Sequence, residues 1–447
     1  QDVNLQNNGN FYLRNNSQLL QGTSGSGANS GLGKLSIFQE GTVNNFQYNY
    51  WCSPVGNASA SIGNEPFGIS LLNRPTGLTT SIPVGILPSN NYNGTSSPLS
   101  IAPYWIWKFV TSSAYSQWAY VGSGSTINSG EGFTMKGPGA GSLEQNYVLS
   151  GLPNNGDISL AIAAGNDYLV GNPYPSAIDA DEFIKDNLSN LEIIGYEIDG
   201  TTPIYARNPN GNIINGTLYF WEHFAVNSHQ LAEYQGGYAT RNLVGGVPPV
   251  SPALISGLGS SSRIPGRYIP VAQGFFVKGN TNGGQIIYQN SQRKFVKEDN
   301  VNSNEMFRTP NQSLSLNNNN DVEEIPDLFS RIRLGYTGCT NYHRQLLIGF
   351  MNEHADDSYN LGYDAEIIDI QPNDIYFQAG SYKLVIQGVG FFNINNSYPL
   401  TLKSSQTGLV NFMIDGLENF DPNQPIYIHD NSNNTYYNLR TSNASIT

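Results

Sequence analysis

Two segments within the first 280 residues carry the same motifs in the same order, and this internal repeat constrains the fold more than any other feature. The motifs of the first segment are YNYWCSPVG (48–56), PYWIWKF (103–109), QWAY (117–120) and GEGFTMKG (130–137). Those of the second are YLVGNPYPSAID (168–179), LYFWEHF (218–224), AEYQGGYAT (232–240) and AQGFFVKG (272–279). Because an ordered set of shared motifs indicates a duplicated structural unit, the sequence predicts two related units, about 46–151 and 166–293.

The residue composition favours strands and turns over helices. Charged residues make up 12% of the chain, against a usual value of about 25%. Aromatic and β-branched side chains fill pleated faces, and Gly, Asn and Pro form the turns between strands. The sequence therefore predicts an all-β, multi-domain protein in which duplicated aromatic-rich β units precede a C-terminal β-sandwich of jelly-roll type.

Changes in composition along the chain predict the domain boundaries. Residues 1–40 read as N-terminal leader strands, and residues 41–295 hold the duplicated β region. Residues 296–323 are polar and contain an NNNN tract, which is typical of a linker. Residues 324–447 contain seven short strand-like runs separated by turn residues, as in a β-sandwich. The runs are 330–336, 344–352, 382–389, 398–405, 409–417, 425–431 and 435–440.

The best helical candidate is AIDADEFIKDNLSNL (177–191), which lies between the halves of the repeat. Its apolar residues recur at roughly helical spacing, and Asp residues lie near its start, where the helix dipole favours them. We expect a short, isolated helix over the edge of a β domain.

The Gly-Phe motif shared by both segments predicts a strand that passes close to another backbone. The glycine supplies the space or a positive φ, the phenylalanine fills the core, and the lysine marks the solvated end of the strand. These residues are Gly132, Phe133 and Lys136 in the first copy and Gly274, Phe275 and Lys278 in the second.

The tryptophans of the repeat allow two interpretations. In the first they fill the core of each β unit, as the alternation of aromatic residues indicates. In the second they are stacking platforms for sugar rings, together with neighbouring tyrosines. The candidates for glycan stacking are Trp105, Trp107, Trp118 and Trp221.

The sequence lacks the motifs of the common enzyme classes. It has no G-x-S-x-G nucleophile elbow, no P-loop, no G-x-G-x-x-G opening a helix and no H-E-x-x-H. We therefore expect a protein that is not an enzyme. Glycosidases need only two carboxylates at the right separation, which a sequence does not show, so a glycan-active protein stays open as an alternative.

One acidic stretch, NEHADDSYNLGYDAE (352–366), offers ligands for a cation. It concentrates Asp356, Asp357, Asn360 and Asp364, whose oxygens are the hard ligands that calcium prefers. The alternative is a solvated loop without metal. No other cofactor is expected, since the five histidines lack a ligand spacing and two cysteines exclude a multi-cysteine zinc site.

The net charge of −13 and the absence of a Lys/Arg cluster argue against nucleic acid or an anionic membrane as a partner. No apolar run approaches the ~20 residues that span a bilayer, so we expect a protein that is not transmembrane. The first residues do not form a basic and then apolar leader, so a signal peptide either was removed before Gln1 or never existed, and the β-rich, charge-poor composition favours removal. Cys52 and Cys339 either form one long-range disulfide or are two buried thiols.

Several motifs together resemble those of large secreted surface proteins of Bacteroidota, especially flavobacteria, over nearly the whole chain from residue 46. They are YNYWCSPVG, GEGFTMKG, YLVGNPYPSAID, IPVAQGFFVKG, RQLLIGF before an acidic GYDAE, and IYIHDNSNNTYYNLR. Proteins of that group are typically exported by the type IX secretion system, and some serve in gliding or adhesion. The resemblance implies an extracellular, cell-surface location. In such relatives a further strand ending in an Arg-Phe pair and a cleavable sorting domain follow the Tyr-Asn-Leu-Arg strand, whereas this sequence stops at Thr447. Three explanations stay open: processing removed the end, the sequence is incomplete, or a neighbouring subunit supplies the missing strand by strand addition.

Two classes of function follow. The first is a non-catalytic extracellular structural or adhesive protein, a subunit of a surface assembly or filament that associates with itself or with other cell-surface proteins. The second is a carbohydrate-binding module or glycan-active secreted protein.

Overall fold

The computed structural model describes residues 2–6, 9–23, 27–139, 144–189, 193–196, 203–205, 211–298, 327–338 and 342–446. Strands dominate this part of the chain, which confirms the all-β prediction. The strands of the N-terminal third are β1 (Asn4–Leu5), β2 (Asn10–Leu13), β3 (Ser30–Gly31), β4 (Lys34–Thr42), β5 (Tyr48–Trp51), β6 (Val55–Gly56), β7 (Phe67–Gly68), β8 (Leu72–Pro75), β9 (Ser81–Pro83), β10 (Gly85–Ile86), β11 (Thr95–Ser96), β12 (Leu99–Ile101), β13 (Trp107–Lys108), β14 (Ala119–Tyr120), β15 (Thr126–Ile127), β16 (Phe133–Lys136) and β17 (Glu144–Pro153).

The remaining strands fall before and after the predicted linker. Those before it are β18 (Ile158–Ile162), β19 (Asp167–Gly171), β20 (Ala177–Asp179), β21 (Ile193–Tyr196), β22 (Pro203–Tyr205), β23 (Ile214–Ala225), β24 (Gln235–Arg241), β25 (Gly246–Val247), β26 (Tyr268–Ile269), β27 (Gly274–Gly279), β28 (Gly284–Tyr288) and β29 (Arg293–Lys294). Those after it are β30 (Ser330–Thr337), β31 (His343–Phe350), β32 (Ala365–Glu366), β33 (Asp374–Ala379), β34 (Tyr382–Val389), β35 (Leu400–Lys403), β36 (Val410–Glu418), β37 (Tyr427–Asp430), β38 (Thr435–Asn438) and β39 (Ala444–Ile446).

The predicted helix is present but short. Within the described residues, α1 (Ala180–Asp186) is the one α-helix, and it begins after Asp179, whose carboxylate accepts a hydrogen bond from the backbone N–H of Asp181. An Asp at this position satisfies a backbone donor that has no partner inside the helix. Residues 177–179 pair instead as strand β20 with β26 and β29. Short 3-10 turns are Ala58–Ala60, Ile69–Leu71, Pro103–Trp105, Tyr115–Gln117, Leu231–Glu233, Asn290–Gln292 and Asn352–His354.

The chain divides into two compact units. The first comprises Gln1–Glu192, Tyr205–Glu222 and Gly266–Glu323, and the second comprises Ile193–Ile204, His223–Pro265 and Glu324–Thr447. The predicted duplicated region, 41–295, is therefore shared between them. Most of the predicted linker, residues 299–323, lies outside the described residues.

Hydrogen bonds explain why residues 223–265 belong to the second unit. The backbone oxygen of Gly246 accepts a hydrogen bond of 2.7 Å from the Arg333 guanidinium, and that of Ser251 accepts one of 2.6 Å from the Gln371 amide. These long-range contacts are not encoded in the local pattern of the segment. A sequence repeat therefore does not by itself mark a compact unit.

In the first unit the largest sheet has the order β2-β4-β17-β8-β9. Its centre is the antiparallel pair of β4 and β17, which runs in unbroken register from Thr42 opposite Glu144 to Leu35 opposite Gly151. Side chains from this pair enter a buried core with rings from the repeat. Its largest fully buried members include Trp51, Phe67, Phe133, Tyr147 and Leu35.

The two Gly-Phe strands of the repeat hold equivalent positions in this unit. Strand β16 pairs antiparallel with β5, and β27 pairs antiparallel with β19. In these registers Phe133 lies opposite Trp51, and Phe275 lies opposite Val170. The predicted duplication is thus present as two equivalent strand pairs.

The two copies also contact each other reciprocally. The N–H of Cys52 in the first copy donates to the oxygen of Ala272 in the second, and the N–H of Gly171 in the second donates to the oxygen of Gly130 in the first. A single ladder bridge joins Trp51 to Gln273, and its counterpart joins Val170 to Glu131. Contacts of this kind, in which i meets j and j meets i, are the pattern that a two-fold relation produces.

The glycines of the motif supply space, as the sequence predicts. A Cβ on Gly274 would lie 2.8 Å from the carbonyl carbon of Tyr50 and 2.9 Å from the nitrogen of Trp51. A Cβ on Gly132 would lie 2.7 Å from the oxygen of Val170, the counterpart of Trp51. Each glycine therefore lets its strand approach the backbone of the other copy.

The lysines of the motif differ from the prediction in one copy. Lys278 is exposed at the end of β27, but Lys136 at the end of β16 is only 4% exposed. The expectation of a solvated end is wrong for Lys136, because the rings of Trp105 and Tyr48 cover its ammonium group.

The second unit is built around one sheet with the order β35-β33-β34-β31-β30-β36-β39, to which β32 adds beside β34. Each of the seven predicted C-terminal runs contains a strand, whereas β32, β33 and β39 were not predicted. Strands β37 and β38 form a separate hairpin. On β31, the buried Arg344 guanidinium makes two hydrogen bonds to the carboxylate of Asp374 and one to that of Asp369, which compensates these charges away from water.

Candidate functional site

Trp221 belongs to a buried cluster of aromatic rings in the first unit. Its ring lies 6.2 Å from that of Tyr50, which lies 5.8 Å from that of Phe276. Trp118 packs on the same cluster, 5.9 Å from Phe276, and is half-buried at its rim. Because Trp221 is 7% exposed, it offers no ring face to a sugar and is a core residue.

Trp105 is also a core residue, at 8% exposed. Its indole N–H donates to the backbone oxygen of Tyr92 at 2.6 Å, and its ring lies 3.7 Å from the ammonium nitrogen of Lys136. Burial lowers the pKa of Lys136 to about 7. The rings of Trp105 and Tyr48 face this cation and stabilise its charged form through their π-electrons. This arrangement removes Trp105 from the candidates for glycan stacking.

Trp107 and Tyr120 form the best aromatic surface of the first unit. They lie directly opposite each other on the two-stranded ribbon of β13 and β14, and their ring centroids are 5.0 Å apart at an interplanar angle of 62°. Trp107 is half-buried, with its indole N–H bound to the oxygen of Tyr104, while Tyr120 is 45% exposed. The half-buried Trp107 ring and the exposed Tyr120 ring together make an aromatic corner at the surface. Tyr120 was not among the predicted stacking residues, although it ends the QWAY motif.

The four candidate calcium ligands lie in one loop of the second unit, but the oxygens of three of them accept hydrogen bonds from the loop or from β34. The Asp356 carboxylate accepts from the N–H of Ser358, and the Asn360 amide oxygen accepts from the N–H of Asp356. The Asp364 carboxylate accepts from the N–H of Asn360 and from that of Gly388. These bonds hold the loop closed onto β34.

Burial affects the pKa of Asp364. Asp364 is fully buried, and burial raises its pKa to about 7. Within the described ranges no three His, Cys, Asp or Glu side chains converge as a cation site. The structure therefore gives the loop an explanation without metal, and calcium stays a prediction.

The two edges of the large sheet in the second unit differ. Strand β35 pairs with β33 over four residues in unbroken register, and no strand of the described chain lies on its other side. At the opposite end, β39 covers only Val410–Phe412 of β36, and Asp415 forms a bulge in the rest of that strand. Bulges obstruct the pairing of an edge with another chain, so β35, with four residues in unbroken register, is the more regular of the two edges.

The alternation of hydrogen bonds shows which groups of β35 face outward. The N–H of Gln378 donates to the oxygen of Pro399, which makes this a hydrogen-bonded pair. In an antiparallel ladder such pairs alternate, so Thr401 and Lys403 bond to β33. Leu400 and Leu402 consequently direct their N–H and C=O groups away from the sheet. Leu402 is 41% exposed.

The structure describes one of the two cysteines. Cys52 is a buried free thiol, and burial raises its pKa to about 12. Cys339, its predicted alternative partner in a disulfide, lies outside the described residues.

Among the described residues, no helix has the length and apolar character that crossing a bilayer requires.

Comparison with known proteins identifies a family. The family model described as Domain of unknown function (DUF8693) matches residues 81–447, so the chain belongs to this family. No curated protein and no solved structure matches the chain. The match begins inside the first copy of the repeat and includes the whole large sheet of the second unit.

Proposed function

We propose that this DUF8693 chain is a non-catalytic extracellular structural or adhesive protein that joins other subunits by β-strand addition at β35. The observation that supports the proposal is the regular, open edge formed by Leu400–Lys403. An edge of this kind is a template for an added strand, since its outward-facing backbone groups have no partner among the described strands of the sheet.

The energetics suit assembly by several weak contacts. The two outward-facing residues of β35 offer about four backbone hydrogen bonds, each with a net value of about 1 kcal/mol. The exposed side chain of Leu402 adds apolar contact with an incoming strand. One such contact gives weak association, and repetition along a filament gives a stable polymer through multivalency.

Composition and the resemblance support the location. A surface of neutral polar side chains with few charges suits the exterior of a cell, and the motifs resemble those of flavobacterial proteins exported by the type IX system. On this proposal the chain reaches the cell surface and works as part of a surface assembly.

The experiment uses a proline at an outward-facing position. Leu402→Pro removes an N–H that points away from β33 and leaves the inward ladder intact, so the fold is expected to survive. Analytical ultracentrifugation and negative-stain imaging over a range of concentrations should show assemblies of the native chain, and about tenfold weaker association of the proline variant.

The matched control is Leu402→Thr, which keeps the N–H and shortens the side chain. It should associate more strongly than the proline variant and less strongly than the native chain. A native chain that stays monomeric at all concentrations contradicts the proposal.

A second function, carbohydrate binding, is favoured by the exposed corner of Trp107 and Tyr120. Aromatic rings with one open face stack on the apolar face of a pyranose, and a glycan array followed by calorimetry tests this. Trp107→Ala and Tyr120→Ala should each weaken binding about tenfold. Tyr115→Ala is the control, because Tyr115 is 71% exposed outside the ribbon. An array without a binder removes this function.

A further inference from the structure

A shallow depression of about 640 Å³ lies in the second unit, between an acidic loop and an apolar loop. The acidic loop contributes Glu353, Asp356 and Asp357 to its lining, and the apolar loop contributes Phe391 and Asn396. None of the described residues that line it is a Lys or an Arg. The depression therefore combines negative charge with an exposed aromatic ring.

The apolar loop is anchored in a way that keeps its side chains exposed. Phe392 packs on the buried Phe350 at 5.0 Å and on Phe420 at 5.2 Å between ring centroids. Its neighbours point outward, with Phe391 62% exposed and Ile394 68% exposed. Consecutive apolar residues that stay exposed beside an anchored one mark an interaction surface.

The acidic loop is also fixed. The Asp356 carboxylate accepts from the N–H of Ser358 at 2.8 Å, and the Asn360 amide donates to the backbone oxygen of Asp356 at 2.8 Å. The hydrogen bonds from Ser358 hold the pKa of Asp356 below its ordinary value, so this carboxylate stays ionised. The negative charge is thus a constant feature of the depression.

We propose that this depression docks a segment of a partner protein in which an Arg or Lys lies beside an apolar side chain. The cationic head would approach Asp356 and Asp357, and its aliphatic stem would pack on Phe391, an arrangement that also allows a cation–π contact. The argument rests on charge complementarity around an exposed apolar surface. It is independent of strand addition at β35.

A metal ion is a poorer occupant. One oxygen of the Asp356 carboxylate, Oδ1, already accepts hydrogen bonds from the backbone and the side chain of Ser358. An ion alone would also leave Phe391 and Ile394 uncovered. A segment with both charge and apolar surface satisfies both features of the site.

The test measures fluorescence anisotropy of the full chain with a labelled peptide, Gly-Arg-Phe-Lys-Phe-Gly, and with a matched peptide in which Glu replaces Arg and Lys. The basic peptide should bind, and its affinity should fall as salt is added. The variants Asp356→Asn with Asp357→Asn, and Phe391→Ser, should each weaken binding about tenfold. Asn at position 356 keeps the oxygen that Ser358 needs, so the loop is expected to stay folded.

The chain offers closely matched controls on the hairpin of β37 and β38. Asp430 accepts from the N–H and hydroxyl of Ser432 just as Asp356 does from Ser358, and Tyr436 is 62% exposed, like Phe391. Asp430→Asn and Tyr436→Ser should leave binding unchanged.

Three results would overturn the proposal. One is no binding of the basic peptide, and another is equal binding of the Glu peptide. The third is a loss of self-association when Asp356 and Asp357 are neutralised, since the occupant would then be a second copy of this chain.

Discussion

The two Gly-Phe strands, β16 and β27, have the same backbone arrangement and differ at their charged ends. Lys136 at the end of β16 is buried against Trp105 and Tyr48. Lys278 at the end of β27 is exposed and lies opposite Asp167 in the ladder. The motif therefore determines how the strand approaches its neighbour, and the surrounding chain determines the environment of each side chain.

The largest effect should come from closing the space that both strands need. Gly274→Ala places a Cβ against the backbone of Tyr50 and Trp51, which cannot move aside, so the free energy of unfolding should fall by about 3 kcal/mol. Gly132→Ala should lower it by about 2 kcal/mol, because one of its two closest contacts is the flexible side chain of Leu169. Urea denaturation followed by tryptophan fluorescence measures both values.

All five tryptophans lie in the first unit, so this signal reports on the unit that contains the repeat. Gly124→Ala is the control, since no heavy atom lies within 4 Å of the added Cβ. It should change stability by no more than about 0.5 kcal/mol. A Gly274→Ala chain as stable as the native one would show that the reciprocal approach is wrong.

The next largest difference in stability should come from the two turns that follow β5 and β19. Asn172 is fully buried, and its amide donates to the backbone oxygens of Ser176, Ile269 and Pro270. Asn172→Ala leaves those acceptors without this donor and should lower stability by about 3 kcal/mol. Ser53 also precedes a proline, but among the described contacts its hydroxyl bonds only to Val55 within the turn, so Ser53→Ala should lower stability by about 1 kcal/mol. Equal losses at the two positions would contradict this difference.

Lys136 should make the stability of the folded chain depend on pH. Because the pKa of Lys136 is lowered to about 7, the folded chain binds fewer protons than the unfolded chain above that pH, and stability rises as pH rises. The gain in stability of Lys136→Met over the native chain should therefore shrink by about 3 kcal/mol between about pH 6.5 and about pH 9.5. Parallel curves for the native chain and Lys136→Met would mean that Lys136 titrates normally.

The smallest expected effect is the coupling energy between two residues at the point where the two copies meet. A Cβ on Gly171 would lie 2.5 Å from the Cβ of Cys52, its counterpart in the first copy, and 2.7 Å from the backbone oxygen of Gln273. Gly171→Ala should destabilise the chain, and Cys52→Gly in the same chain should recover about 1 kcal/mol in a double-mutant cycle. If the effects of the two substitutions on the free energy of unfolding simply add, these two residues do not interact.

Much of the fold could be predicted from local patterns. Turn residues around short apolar runs predicted β30, β31 and β34, and the Asp-rich start of 177–191 predicted α1. The short strand β32 and the end strand β39 were not predicted, because two or three residues carry too little periodicity. The candidate site was predicted less well, since Trp105 and Trp221 are buried while Tyr120, Leu402 and Phe391 were missed. The consecutive apolar residues of GFFNINN were a usable signal for the last of these.

By itself the sequence determined the all-β class, the duplicated motifs and the close backbone approach at Gly132 and Gly274. These features follow from local steric and periodic preferences, which a short window of residues contains. Only the tertiary structure decided that the copies contact each other reciprocally, that Lys136 is buried and that residues 223–265 join the second unit. Those outcomes depend on contacts between residues far apart in the chain, where packing and hydrogen bonding outweigh local preference.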